Sequence, residues 1–146
     1  MIWLSFNCRG LANPNKRLAL KRLLHNSNCD ILLLQETLGT FDIISRTIHF
    51  ILLGWYFQGL DAVGRLRGLA IGINPKTVKH ISSWGSLGFI GMDIFVSELG
   101  ILLKVISIYA PNQNRLEFWH SMLEHSLVMG TTIISGDLNF SLGMEE

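Results

Sequence analysis

Short apolar runs separated by turn residues extend through most of the chain, and their spacing predicts strands interleaved with a few helices. Trp3–Phe6 is mostly apolar, with aromatic and branched side chains, and suits a strand that Asn7-Cys8-Arg9-Gly10 breaks. Asn13-Pro14 offers a helix start, Asn as the cap and Pro at the first helical position, where a missing N–H costs nothing. Leu20, Leu23 and Leu24 give that helix an apolar face, and Lys16, Arg17, Lys21 and Arg22 supply its polar remainder. Asn26 to Asp30 ends the helix. Ile31-Leu32-Leu33-Leu34 follows as an unbroken apolar run, the mark of a strand covered on both faces. Strand, helix, strand in this order implies a parallel pair joined by a right-handed crossover.

Between Thr37 and Leu53 the pattern is weak and predicts a loop with an irregular helix. Beyond it Trp55–Leu60, Leu69–Asn74, Val78–Trp84, Ile90–Ser97 and Leu102–Tyr109 read as strands. Gly64, Gly68, Asn74-Pro75, Gly85 and Gly100 punctuate them, a rhythm that suggests antiparallel meanders. Pro111 to Met129 predicts the clearest helix, with Asn114 as cap, Glu117 three residues on, a stripe of Leu116, Trp119, Leu123 and Leu127, and Gly130 as the stop. Thr131–Ile134 is a last strand, running into Gly136-Asp137-Leu138-Asn139. The expectation is one α/β domain over residues 1–146, two sheets packed as a sandwich with helices outside.

Composition adds boundaries. The 146 residues suffice for one domain with a real core, and a mean hydropathy of +0.36 suits strands buried on both faces or a piece of a larger core. No membrane span is expected, because runs such as Ile31–Leu34 and Phe50–Leu53 fall far short of the ~20 residues a bilayer requires. The N-terminus has no basic region and is not a signal peptide. Cys8 and Cys29 lack zinc-ligand spacing and read as reduced packing thiols of an intracellular protein, in nucleus or cytoplasm. A net charge of +1 makes no global demand for nucleic acid. Arg9, Lys16, Arg17, Lys21 and Arg22 form a local basic stretch, read as a solvated helix face or, more sharply, as a phosphate-binding patch.

The candidate chemistry lies at strand ends. Asn7 ends the first strand, Gln35-Glu36 the second, and Asp137 and Asn139 the last. In open α/β folds sites assemble at the carboxyl ends of strands. Magnesium takes oxygen ligands and only one or two carboxylates, leaving water and substrate phosphate to complete its shell. Glu36 and Asp137 suit that need, with Asn7 and Asn139 as neutral orienting groups; Asp137 and Asn139 after Gly136 equally suit a plain turn.

Ser5-Phe6-Asn7-Cys8-Arg9-Gly10, Leu34-Gln35-Glu36, Ile108-Tyr109-Ala110-Pro111 and Gly136-Asp137-Leu138-Asn139-Phe140, in this order, resemble the motifs of the endonuclease/exonuclease/phosphatase superfamily. That group includes abasic-site endonucleases, deoxyribonuclease I-like enzymes, inositol polyphosphate phosphatases and the endonucleases of non-LTR retrotransposons. The opening through Leu11 is most similar to the plant retrotransposon branch. The resemblance implies a deoxyribonuclease I-like sandwich and a magnesium-dependent (or manganese-dependent) phosphodiesterase of endonuclease type with DNA as substrate. It implies Glu36 as principal metal ligand, Asn7 holding metal and scissile phosphate, Tyr109 near the phosphate, and Asp137 with Asn139 orienting the attacking water.

Departures from the pattern temper that implication. Phe6 stands where Trp is usual, and Leu66-Arg67-Gly68 where a small-residue turn is usual, which would strain Arg67 if it needs positive φ. The family's closing Asp-His pair, which moves protons, has no counterpart before Glu146, and His25, His49, His80, His120 and His125 lie in no motif that replaces it. The expectation is a domain incomplete at its C-terminus, weak or inactive by itself. The alternatives are a catalytically silent retrotransposon-derived remnant or a nucleic-acid-binding module.

Overall fold

Leucine-, isoleucine- and valine-rich runs pair in the places the sequence assigns them. The computed structural model of the chain describes residues 1–64, 67–126 and 130–139. Strand β1 (Trp3–Asn7) lies parallel to β2 (Ile31–Gln35), with Asn7 opposite Gln35. Helix α1 (Pro14–Ser27) connects them; the Asn13 side chain caps it by accepting from the Asn15 N–H at 2.8 Å, and left-handed Asn28 ends it. Helix α2 (Phe41–His49) leads to β3 (Tyr56–Leu60) and β4 (Leu69–Ile73), which complete a four-stranded sheet of order β1-β2-β4-β3. Strands β5 (Val78–Ser86), β6 (Phe89–Val96) and β7 (Ile101–Tyr109) form an antiparallel meander. Helix α3 (Arg115–Ser126) then carries the chain to β8 (Thr131–Asp137), parallel to β7.

The two-residue period of the strands sorts side chains into layers. Ile31 and Leu33 of β2 join Leu69, Ile71, Met92, Ile94, Leu103 and Val105 in a core between the sheets. Leu32 and Leu34 point the other way and meet Leu20 and Leu24 of α1 and Ile44 and Ile48 of α2. On the second sheet Phe89, Ile106 and Ile108 face Phe118 and Met122 of α3. The result is helix, sheet, sheet, helix, the expected sandwich. Strand β1 lies against β8, β2 against β7 and β4 against β6 across the core. Each fully buried Leu or Ile contributes about 1.5–3 kcal/mol relative to exposure, so the doubly covered β2 is a main anchor of the fold.

Several local expectations need correction. The weak stretch from Thr37 to Leu53 holds a regular helix, because Ile44 and Ile48 recur four apart and bury one face. On α1 Leu20 and Leu24 are buried, whereas Leu23 points toward solvent. Helix α3 starts at Arg115, not Pro111; Asn114 adopts a left-handed backbone (φ 54) instead of the extended one of a cap. Its buried face is Phe118 and Met122, flanked by Trp119, while Leu116 and Leu123 are exposed. The aromatic Phe118 wins that face by packing edge-on against Phe89 at 5.8 Å. Leu127, Met129, Leu66 and Phe140 lie outside the described residues. Among the described residues no helix is long and apolar enough to cross a membrane.

Candidate functional site

At one end of the sandwich the inward-facing positions change character. Going along each strand toward its carboxyl end, Ile31 and Leu33 give way to Gln35, and Val105 to Ser107 and Tyr109. Ser5 and Asn7 of β1 and Asp137 of β8 fall on the same inward phase. The sheets therefore enclose first an apolar core, then a polar floor, and above it an open cleft of about 830 Å³ lined by Asn7, Asn112, Asp137 and Asn139 among others.

The floor is a closed hydrogen-bond set. Gln35, 2% exposed, donates from Nε2 to Ser5 Oγ at 3.2 Å within its own sheet and to Ser107 Oγ at 3.1 Å in the other. It ties the two sheets together directly beneath the cleft. Beyond ending a strand with an acceptor, Gln35 is marked in the sequence as a polar residue at the inward phase of an otherwise apolar strand.

Above the floor, Asn7 links the two carboxylates. Its Nδ2 donates to Glu36 Oε1 at 3.1 Å and to Asp137 Oδ2 at 3.2 Å, and its Oδ1 accepts from the Arg9 N–H at 3.2 Å. Those partners fix the amide's orientation, since only the NH2 end can face two carboxylates. Asp137 Oδ1 accepts from the Asn139 N–H at 3.0 Å, and Asn139 Nδ2 donates to the Ala110 carbonyl at 2.6 Å. Arg115 fastens the same turn by donating to the carbonyls of Leu138 and Asn139, each at 3.1 Å. Tyr109 stands opposite Asp137 in the β7–β8 register, packed against the inter-sheet core. The structure thus brings Asn7, Glu36, Asp137 and Asn139 into one connected set, and Tyr109 joins it by register.

The loops that carry these residues are held like strands. Cys8 N–H donates to the Gln35 carbonyl at 2.9 Å and Gly10 N–H to the Glu36 carbonyl at 2.7 Å, extending the β1–β2 ladder past its ends. Leu38 N–H donates to the Arg67 carbonyl at 2.9 Å, and Thr37 N–H to that of Gly68 at 3.3 Å. Arg9 (φ 45), Glu36 (φ 52), Leu38 (φ 54) and Asn139 (φ 46) all sit in the left-handed region around the cleft. For Arg9, Glu36 and Leu38 that conformation costs about 1–2 kcal/mol each, whereas Asn139 adopts it readily. In the turn where Arg67 stands, Gly68 itself takes a left-handed conformation (φ 75). Arg67 also reaches Glu36: its Nη1 lies 3.6 Å from Glu36 Oε2. Sequence reading missed this pair, which turns on a loop contact no periodicity encodes.

Two further expectations resolve here. Cys8 and Cys29 are free and buried, and burial is the main cause that pushes the Cys8 thiol from 9.0 up to about 11. The basic stretch is split: Lys16 donates to the Arg9 carbonyl beside the cleft, while Arg17 and Lys21 line a separate groove with Ile43 and Arg46 of α2. It is no single phosphate-binding face.

The donor set is oxygen-rich and built on one carboxylate at the β2 end, with a second held beside it through Asn7. No group of three or more His, Cys, Asp or Glu gathers among the described residues. That composition fits a hard cation that keeps much of its water shell, and it does not fit a structural zinc site.

A comparison with curated protein sequences finds no match. Solved structures do share the fold. The catalytic domain of APE2 from Xenopus laevis aligns with a TM-score of 0.72 at 21% identity, over 97% of this chain and 59% of that one. D. rerio TDP2 complexed with single strand DNA product aligns with a TM-score of 0.71 at 16% identity, over 95% and 60%. A functionally unknown conserved protein from Enterococcus faecalis aligns with a TM-score of 0.73 at 15% identity, over 99% and 69%. The chain spans about three fifths of the length of the first two. The model of the Endonuclease/Exonuclease/phosphatase family matches residues 4–143. With that match, on a two-sheet sandwich whose Asn7 joins Glu36 to Asp137, the chain belongs to the Endonuclease/Exonuclease/phosphatase family.

Proposed function

We propose that the cleft is the site of a magnesium-dependent phosphodiester hydrolase of endonuclease type acting on DNA. The observation that carries this reading is the Asn7 amide bridging Glu36 and Asp137 across the two sheets. The likeness to proteins such as TDP2 with a single strand DNA product supports DNA as the substrate class. The Asn7-Cys8-Arg9-Gly10-Leu11 opening supports placement in the plant retrotransposon branch.

In this reading Glu36 would hold a magnesium or manganese ion, and Asn7, which donates to Glu36 Oε1, orients that carboxylate. When bound, a divalent ion there would supply polarisation of the phosphate and neutralisation of the charge that develops in in-line attack. Asp137, fixed by donors on both oxygens, accepts a hydrogen bond from the attacking water and sets its line of approach. Asn139 is a positioning residue, since its N–H holds Asp137 and its amide is engaged with Ala110. Tyr109 borders the phosphate from β7.

Residues 1–146 would then form part of one such domain, because the matched structures extend further. By itself the chain turns over slowly or not at all: no histidine lines the described cleft, and general acid–base help is worth about 10²–10⁴ in rate. The test is nicking of supercoiled plasmid with magnesium, beside Glu36→Ala and Asp137→Ala. Nicking that both substitutions abolish supports the site and overturns the claim of slowness. A folded chain that is silent but retains DNA would be a binding module, and one that neither cuts nor binds would be a catalytically silent remnant.

A further inference from the structure

Arg67 reaches Glu36 from a fixed base. Its carbonyl accepts from Leu38 N–H at 2.9 Å, and the neighbouring Gly68 carbonyl accepts from Thr37 N–H, so the β3–β4 turn is tied to the loop that carries Glu36. From there the guanidinium comes within 3.6 Å of Glu36 Oε2, a Coulombic contact too long for a good hydrogen bond. The two ends differ: the Glu36 side chain is 12% exposed and that of Arg67 50%. Solvent screening makes such a pair a weak contributor to folding, so stability alone does not explain an arginine in a turn built around glycine. Asn7 already holds Glu36 Oε1, which leaves Oε2 as the edge open to a cation, and Arg67 occupies that edge. A guanidinium offers donors in a planar fork that matches phosphate oxygens, and half of this side chain faces solvent beside Glu36.

We propose that Arg67 is a phosphate-positioning residue of this cleft. It neutralises Glu36 Oε2 while no divalent ion is there, and it pairs with a backbone phosphate of the nucleic acid strand once an ion takes Glu36. The proposal rests on the reading of the cleft given above. It has a signature that a purely structural ion pair lacks, because removing Arg67 must move two affinities in opposite directions. The cation gains, having lost a competing positive charge, and the polyanion loses a contact.

The experiment uses the 146-residue chain and its Arg67→Ala and Arg67→Lys variants. Manganese affinity is read by calorimetry, and binding of a single-stranded DNA oligonucleotide by fluorescence anisotropy in calcium across a salt series. Arg67→Ala should bind manganese about threefold to tenfold more tightly, since one repelling charge is gone. It should bind the oligonucleotide about fivefold more weakly, with a salt slope shallower by about 0.7, the value of one lost phosphate contact. Arg67→Lys keeps the charge without the fork, so its slope should stay near wild type while its affinity falls between the two. If wild type binds both probes and Arg67→Ala changes neither, or weakens both, the role of Arg67 is wrong while the cleft stands. If folded wild type binds neither probe, the reading of the cleft fails and this proposal with it.

Discussion

Gln35 shows how much one side chain contributes when it faces a gap between two sheets. Buried to 2%, it donates to Ser5 and to Ser107, and replacing it with an apolar residue of similar size leaves both hydroxyls without that donor. Gln35→Leu should lower stability by about 1–3 kcal/mol in urea unfolding, the usual cost of stranding a buried polar group, here the Ser107 hydroxyl, while exposed Ser5 can turn to water. Ser107→Ala should cost less, and the double variant less than the sum, because both remove the same cross-sheet bond. Cys8, next to this floor, donates from Sγ to the Gln35 carbonyl at 3.0 Å. Its folded thiol keeps its proton to about 11 against an ordinary 9.0, chiefly through burial. The sign follows: this contribution to stability is complete below about 9 and is lost as pH rises toward about 11. Native Cys8 should resist alkylation at pH 8 and react once the chain is unfolded; fast native labelling would show the thiol to be exposed. At this scale the sequence named Asn7, Glu36, Asp137 and Asn139 because strand ends and motif order single them out. Ser107 and Arg67 stayed hidden, since their roles depend on which strands and turns meet across the sandwich.

The elements divide in the same way. Strands and the α1 cap follow from alternation, β-branched runs and Asn13-Pro14, all local signals. The phase of α3 was not legible, because Leu116, Trp119 and Leu123 make as good a stripe on paper as Phe118 and Met122, and only sheet packing chooses between them. Glycines carry strand-level information as well. Gly136 in β8 has φ 146, and a Cβ placed there would sit 2.0 Å from the Ile108 carbonyl oxygen, which is backbone. Its absence of a side chain lets β8 pair closely with β7 and delivers Asp137 to the cleft. Gly72 in β4 also lacks space, but there the obstacle is the Phe57 ring at 2.2 Å, a side chain that can repack. Gly136→Ala should therefore cost more than about 3 kcal/mol and Gly72→Ala about 1–3 kcal/mol by thermal or urea unfolding. Equal costs would mean that the backbone conflict at Gly136 relaxes as readily as a ring turns.

At the scale of the whole molecule, the sandwich places function on the seam. Glu36 comes from the first sheet and Asp137 from the second, and Asn7 joins them, so the cleft exists only while the two sheets keep their relative position. The core between them is shared, with Leu33 and Ile71 of one sheet packed among Met92 and Val105 of the other. A ligand that binds the seam should consequently stabilise the chain as one cooperative unit. A divalent ion held a hundredfold above its dissociation constant adds about 2.7 kcal/mol if the unfolded chain does not bind it. For a domain of this size that corresponds to a rise in Tm of roughly 5–10 °C. Magnesium or manganese should produce this shift in wild type, and a chelator should reverse it. Circular dichroism and tryptophan fluorescence should report the same midpoint, because neither sheet can release its inner face alone. Glu36→Ala should abolish the shift, whereas Lys79→Ala, an exposed change at the start of β5, should leave it intact. A shift that survives Glu36→Ala would place the ion elsewhere, and two separated midpoints would show that the sheets do not act as one body.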